Sequence, residues 1–277
     1  MYLRLYEVGP RDGLQILSYE VPLQKREQLI RMLSWSGLKN IEVGSCVSSS
    51  VLPMRDSEKL STNKKAHYSM LVLSEGGFSR ATSSGFENIN INLSMNPSFN
   101  LKNLNKNYDD VLKMYLKMLD GYDRNRVRAY ISHAFDRNMS DKDIDGLIMD
   151  VSKVSNTIVL CDTDGDADIE VFRERINKFI KPNFSIALHL HKGNGNYMEK
   201  VQIAYELGVC EFDTSIATFG GCINANNPTA NISTIEMIKW AESKYIPLEG
   251  KLNLDILQEA QDFALLLAET TASGLRA

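Results

Sequence analysis

The chain has 277 residues, 43% of them hydrophobic, with 31 basic against 35 acidic side chains and a formal net charge of −4. That is enough apolar material for one large core, at a length a single α/β barrel accommodates without a second domain. The charge balance gives no field to draw nucleic acid or an anionic membrane surface, so an anionic substrate must find a local cationic site.

Short apolar runs predict strands at Leu3–Val8, Asn40–Val43, Ala66–Leu73, Asn88–Leu93, Val127–Ser132, Thr157–Asp162, Ser185–His191 and Glu211–Ile216. Helical patterns lie between them. The first begins at Pro22 and stops at Gly37, with Leu23, Leu29, Ile30 and Leu33 at helical spacing. Residues 107–122, 141–155, 166–180 and 196–208 repeat that pattern, and the stretch after the third strand shows it most faintly. This alternation, without a compositional break, predicts a (β/α)8 TIM barrel. It forms one catalytic domain over 1–277, with a helical segment from about 250 packed on it. An open doubly wound sheet fits less well, because no GxGxxG follows the first strand. The asparagines between Asn88 and Asn107 read as loop and surface usage.

The four cysteines, Cys46, Cys161, Cys210 and Cys222, form no CxxC pair, so neither a zinc knuckle nor a disulfide framework is suggested. No apolar run approaches membrane-spanning length. No basic leader with an apolar region precedes the first strand, and a reducing, cytoplasmic location is the expectation.

Barrels place catalytic groups where strands end at the C-terminal mouth. Strand one ends with Glu7, then Arg11 and Asp12; strand two carries Glu42; Arg128 opens strand five, which ends at Ser132 and His133. Strand six ends at Asp162, strand seven at His189 and His191, and strand eight at "DTS" before the loop "IATFGGC". Residues i and i+2 of a strand share a face, so His189 and His191 form half of a metal site. Asp12, on the strand that closes the barrel beside strand eight, is the natural third ligand. Imidazole and carboxylate donors suit a divalent first-row metal, Mg2+ or Mn2+ first and Zn2+ as well. Cys222 has two readings at this point, a thiol moving protons from a glycine-hinged loop or a small apolar residue. His67 reads as structural, and His133 as a rim residue.

The stretch "EVGPRDGLQ", residues 7–15, resembles the 3-hydroxy-3-methylglutaryl-CoA lyase branch of the DRE-TIM metallolyases (the HMGL-like family). These are TIM-barrel enzymes that make or break C–C bonds at a divalent metal. The resemblance continues through "GLKNIEVGSCVS", "VRAYIS", "CDTDG", "LHLHKGNG" and "GVCEFDTSIATFGGCINANNPTANIST" into "LNLDILQEA". It implies metal ligation by Asp12, His189, His191 and Asn231, and enolate stabilisation by Arg11. It implies catalytic parts for Glu42, Asp162 and His189 and proton transfer by Cys222. Gln15, Arg128 and Lys192 are expected to bind substrate. The implied partner is a small molecule, a hydroxyacyl-CoA or a keto acid, and the resemblance allows a homodimer.

Departures from the family pattern bear on that substrate. The usual Asn-Glu-Lys after "RDGLQ" is Ile16-Leu17-Ser18, the aspartate after HxH is Lys192, and the Gly of the Gly-Asn-Leu segment is Ala230. Cys222 is followed by Ile223 rather than Pro, and of the basic C-terminal tail only Arg276 remains. The metal-binding positions are filled while two parts of the CoA grip are changed. The expected activity is a retro-aldol or retro-Claisen lyase, with an aldolase or condensing enzyme on a non-CoA keto acid or sugar-like substrate as the alternative. A non-catalytic barrel is disfavoured by the filled metal and proton-transfer positions.

Overall fold

The structure, a computed structural model, describes residues 1–193, 195–218, 220 and 230–273. Its strands are β1 (Arg4–Glu7), β2 (Asn40–Ser45), β3 (His67–Leu71), β4 (Asn88–Ser94), β5 (Val127–Ser132), β6 (Thr157–Asp162), β7 (Ser185–Leu190) and β8 (Glu211–Thr214). They run parallel and close in chain order, β8 pairing with β1, so the fold is a (β/α)8 barrel.

Outside it lie α1 (Leu23–Trp35), α2 (Glu75–Ser83), α3 (Pro97–Leu104), α4 (Tyr108–Met118), α5 (Asp141–Val151), α6 (Ile169–Phe179), α7 (Tyr197–Glu206), α8 (Thr234–Ser243) and α9 (Leu254–Ser273). Several helices start on a side chain that accepts from a first-turn amide: Ser74 for α2, Asn107 for α4, Ser140 for α5, Asp168 for α6 and Ser233 for α8. Each such cap satisfies a donor that the helix leaves orphaned. The last helix, α9, packs against α1.

Strand alternation divides the two layers. Ile89, Ile91 and Leu93 of β4 join the large apolar core beneath the helices, as do Ile158 and Leu160 of β6 and Leu188 and Leu190 of β7. The other face points into the barrel, and there, beside a small apolar cluster of Val159, Cys161 and Ala187, much of this chain is polar. The Asn90 amide donates to Glu42 at 2.7 Å, and Tyr6 reaches Ser69 at 2.6 Å. Arg128 and Tyr130 of β5 meet Asp213 of β8 at 2.5 and 2.8 Å. These pairs join non-neighbouring strands and so cross the lumen. A barrel interior is usually filled by bulky apolar side chains; a buried polar filling persists only if its groups are paired.

The asparagine-rich stretch is therefore not loop and surface usage throughout. Asn90 is buried in the lumen, Asn88 lines its N-terminal mouth, and the Asn92 side-chain Oδ1 accepts from the Ser132 hydroxyl at 2.9 Å. An alternating Asn-Ile-Asn-Ile-Asn-Leu is a strand with an apolar outside and a polar inside.

Candidate active site

The chain leaves β1 in one wide turn. The Val8 carbonyl accepts from the amides of Arg11 at 3.0 Å, Asp12 at 2.7 Å and Gly13 at 3.3 Å. Pro10 begins the turn, where its missing N–H costs nothing. Behind it the fully buried Glu7 carboxylate accepts from the amides of Gly9 at 2.8 Å and Ile216 at 2.9 Å and from the Thr234 hydroxyl at 2.5 Å. Burial lifts the Glu7 carboxyl to about 7. Glu7 thus ties the end of β1 to the segment after β8 and to the start of α8.

The turn presents Arg11 and Asp12 to the C-terminal mouth. Arg11 donates from Nε to Glu42 Oε2 at 2.5 Å and from Nη1 to Asp12 Oδ1 at 2.6 Å. Burial opposes the Arg11 charge, but Glu42 and Asp12 outweigh it and hold the guanidinium above its ordinary value. Burial likewise pushes Asp12 up, yet Arg11, His189 and a hydrogen bond from Asn231 bring its carboxyl well below the usual range. Asp12 is therefore an anion at any physiological pH.

Opposite stand the two histidines of β7 and its end. One ligand atom each from Asp12, His189 and His191 lie within 4.8 Å of one another. His191 Nδ1 is 2.7 Å from the Thr163 carbonyl, which can only accept, so Nδ1 carries the proton. His189 Nδ1 is 2.9 Å from Asp213 Oδ2. Both Nε2 atoms then face each other, 3.0 Å apart. Two nitrogens each about 2.1 Å from a cation and at right angles about it sit about 3.0 Å apart, so the pair suits neighbouring positions of an octahedral ion. Burial, with His189 beside it, pushes His191 down to about 4. Burial also disfavours the charge on His189, but Asp213 and then Asp12 raise it.

Asn231 joins this group through a short antiparallel pairing with His191, and its Nδ2 donates to Asp12 Oδ2 at 2.7 Å. Gly220 packs directly on both. With φ at +107°, a Cβ there would lie 2.2 Å from Asn231 Nδ2 and 2.7 Å from Asp12 Oδ2. No side chain fits this approach.

The remaining predicted residues are placed differently. Asp162 follows the outward parity of β6, whose inward residues Val159 and Cys161 pack with Tyr130 and Ala187. Its carboxylate takes Lys200 Nζ of α7 at 2.6 Å and the Ala167 amide at 3.3 Å. Burial raises Asp162 even with Lys200 against it. It is not brought together with the histidines. Arg128 is not at the rim either. It is the second residue of β5, near the N-terminal mouth, where it meets Asp213 and Glu211 and lies over the Tyr6 ring at 4.0 Å. Lys192 pairs with Glu236 of α8 at 2.6 Å and sits over the Tyr197 ring. Gln15 is half-buried just past the turn, and its Oε1 has no hydrogen-bond partner among the described residues. Cys222 lies outside the described residues.

His133 is buried at the end of β5 with a left-handed backbone, φ +60°, and its ring packs on Phe99. On the same face, a cavity of about 520 Å3 opens over the ends of β2 and β3, lined by Ser48, Ser49, Arg55, Ser74 and Arg80 among others. Sequence reasoning overlooked Asp213 and Tyr130. The signal was available: β8 reads Glu-Phe-Asp-Thr, and with Phe212 in the outer core, Glu211 and Asp213 must point inward.

Comparison with known proteins gives the family. The HMGL-like family matches residues 2–263. The cytoplasmic 3-hydroxy-3-methylglutaryl-CoA lyase of Danio rerio is 28% identical, covering 95% of this chain and 82% of its own. The 3-hydroxy-3-isohexenylglutaryl-CoA/hydroxy-methylglutaryl-CoA lyase of Pseudomonas aeruginosa is 27% identical, covering 85% and 83%. The solved HMG-CoA lyase from Acinetobacter baumannii, in complex with coenzyme A and 3-methylmalate, superposes with a TM-score of 0.87 at 27% identity, covering 96% and 91%. The chain belongs to the HMGL-like family, a family of metal-dependent carbon–carbon lyases.

Proposed function

We propose that this protein cleaves a 3-hydroxyacyl-CoA of the hydroxymethylglutaryl type. The observation that carries the reading is the pair of imidazole Nε2 atoms, 3.0 Å apart, beside a carboxylate held ionised at the catalytic mouth of a barrel. The names of the relatives support the substrate class.

Asp12, His189, His191 and Asn231 would hold the ion, Mg2+ or Mn2+ before Zn2+. A bound divalent cation supplies Lewis-acid polarisation of a hydroxyl and a neighbouring carbonyl oxygen. With Asp162 turned to Lys200, and with one nitrogen of His189 given to the ion and the other to Asp213, Asp12 would take the substrate hydroxyl proton. As that proton leaves, the bond to the thioester α-carbon breaks and the carbinol oxygen becomes a ketone. The electron pair passes to the thioester enolate. Arg11, fixed by Glu42 and Asp12, donates to the enolate oxygen as an oxyanion hole would. Cys222, by family resemblance, gives the enolate carbon its proton. Cytoplasmic residence, matching the Danio rerio relative's name, is part of the proposal.

Two observations favour the second reading, an aldolase acting without CoA. Ser18 stands where the family's lysine is expected to hold CoA, with Leu17 before it packed on the apolar core, and Lys192 is engaged by Glu236. The test is turnover of 3-hydroxy-3-methylglutaryl-CoA with Mg2+ or Mn2+, following acetoacetate, with a chelator control. Chelator-sensitive release, lost in Asp12→Ala and Cys222→Ala, is expected. No release from folded, metal-loaded protein contradicts the CoA reading and moves the search to 2-oxo acids and aldehydes. Full activity in both variants would overturn the site.

A further inference from the structure

A metal-binding imidazole is only as good a ligand as the group that orients it. The proton on one ring nitrogen must be held so that the other presents its lone pair. For His191 the Thr163 carbonyl does this from the backbone. For His189 the partner is a carboxylate, which itself needs holding.

Asp213 sits on the inward face of β8, with its side chain 1% exposed. Both oxygens are engaged. Oδ1 accepts from Arg128 Nη2 at 2.5 Å, while Oδ2 accepts from the Tyr130 hydroxyl at 2.8 Å and lies 2.9 Å from His189 Nδ1. Arg128 is anchored in turn by Glu211 and by the Tyr6 ring at 4.0 Å. Arg128 is itself buried and reaches Asp213 across the lumen from β5, far below the rim. A continuous charged path therefore runs from the N-terminal mouth to the candidate metal site: Glu211, Arg128, Asp213, His189.

We propose that Asp213 is a positioning residue, fixed by Arg128 and Tyr130, that keeps the proton of His189 on Nδ1 and aims its Nε2 at Asp12 and His191. Arg128, expected to bind substrate, serves instead as the anchor of that carboxylate. The inference rests on the metal-site reading above. The contacts that carry it, Arg128 and Tyr130 on Asp213 and Asp213 on His189, are all among this chain's own side chains.

Asp213→Asn tests it. The amide keeps the shape but can donate to Nδ1, which drives the ring proton to Nε2, where it blocks the ion. Mn2+ affinity, measured by the EPR signal of free ion, is expected to fall about 10- to 100-fold. Nitrogen spectra of the metal-free full chain, which has only four histidines, should show the neutral His189 ring protonated on Nδ1 in the parent and on Nε2 in the variant. Arg128→Lys, which keeps the charge but loses the fork, should lower Mn2+ affinity in the same direction by less.

Unchanged Mn2+ affinity in a folded Asp213→Asn protein overturns the proposal. So does a parent His189 found protonated on Nε2, a result that stands even if the variant does not fold. If the parent binds no Mn2+, the metal reading falls, and the nitrogen spectrum alone decides whether Asp213 orients His189.

Discussion

At the scale of single residues, two carboxylates a few positions apart, Glu7 fully buried and Asp12 partly so, behave in opposite ways. Asp12 has cations around it and stays ionised, whereas Glu7 has only neutral donors and is lifted by burial to about 7. The sign of the Glu7 effect follows from proton counts. Between its ordinary 4.5 and about 7 the folded protein keeps a proton that the unfolded chain has released. Stability is thus lost as pH rises through that window, by about 3 kcal/mol in all. Glu7→Gln keeps an oxygen for the Gly9 and Ile216 amides and carries no proton to lose. Urea unfolding from pH 5 to 8 should show the parent losing stability relative to this variant. Parallel curves would mean that Glu7 is ionised throughout.

Much of this residue-level site is visible in the string of letters. His-x-His on a strand, and an Arg-Asp pair where a strand stops, need only the period of two and the rule for barrel mouths. The role of Asp213 needs β8 to be read with the same period, and the four residues Glu211–Thr214 give little pattern to read.

At the scale of elements, β5 and β6 begin and end where apolar periodicity puts them, at Val127–Ser132 and Thr157–Asp162. The end residues of a strand are harder to assign to a face. Asp162 looks like a rim residue from its position, yet parity turns it outward to Lys200, 38 positions later on α7. Nothing local marks Lys200 as buried. It sits in a polar-looking "YMEK", and only the packing of α7 on the barrel encloses it. The pair also has an energetic signature. Lys200→Met strands Asp162 without its cation and should cost about 3–5 kcal/mol. Adding Asp162→Asn should recover a good part of that loss in a double-mutant cycle. If the two single changes are simply additive, the buried pair is not what holds α7 here.

At the scale of the whole molecule, closure of the barrel makes the site. Asp12 and Asn231 are 219 positions apart and meet at 2.7 Å because β8 closes on β1 and the returning chain pairs with the end of β7. The polar lumen beneath them is the less legible part. An alternating Asn-rich strand looks like surface until the barrel closes around it, because the same period of two describes a strand with one face in water. On the proposed reading this closure assembles a divalent-metal site from Asp12, His189 and His191. Anomalous diffraction from crystals of the full chain grown with Mn2+ tests it most directly. One Mn2+ ion is expected, bonded to Asp12 and to the Nε2 atoms of His189 and His191. Saturating Mn2+ with no ion at these three residues, or with the ion bound elsewhere, would contradict it.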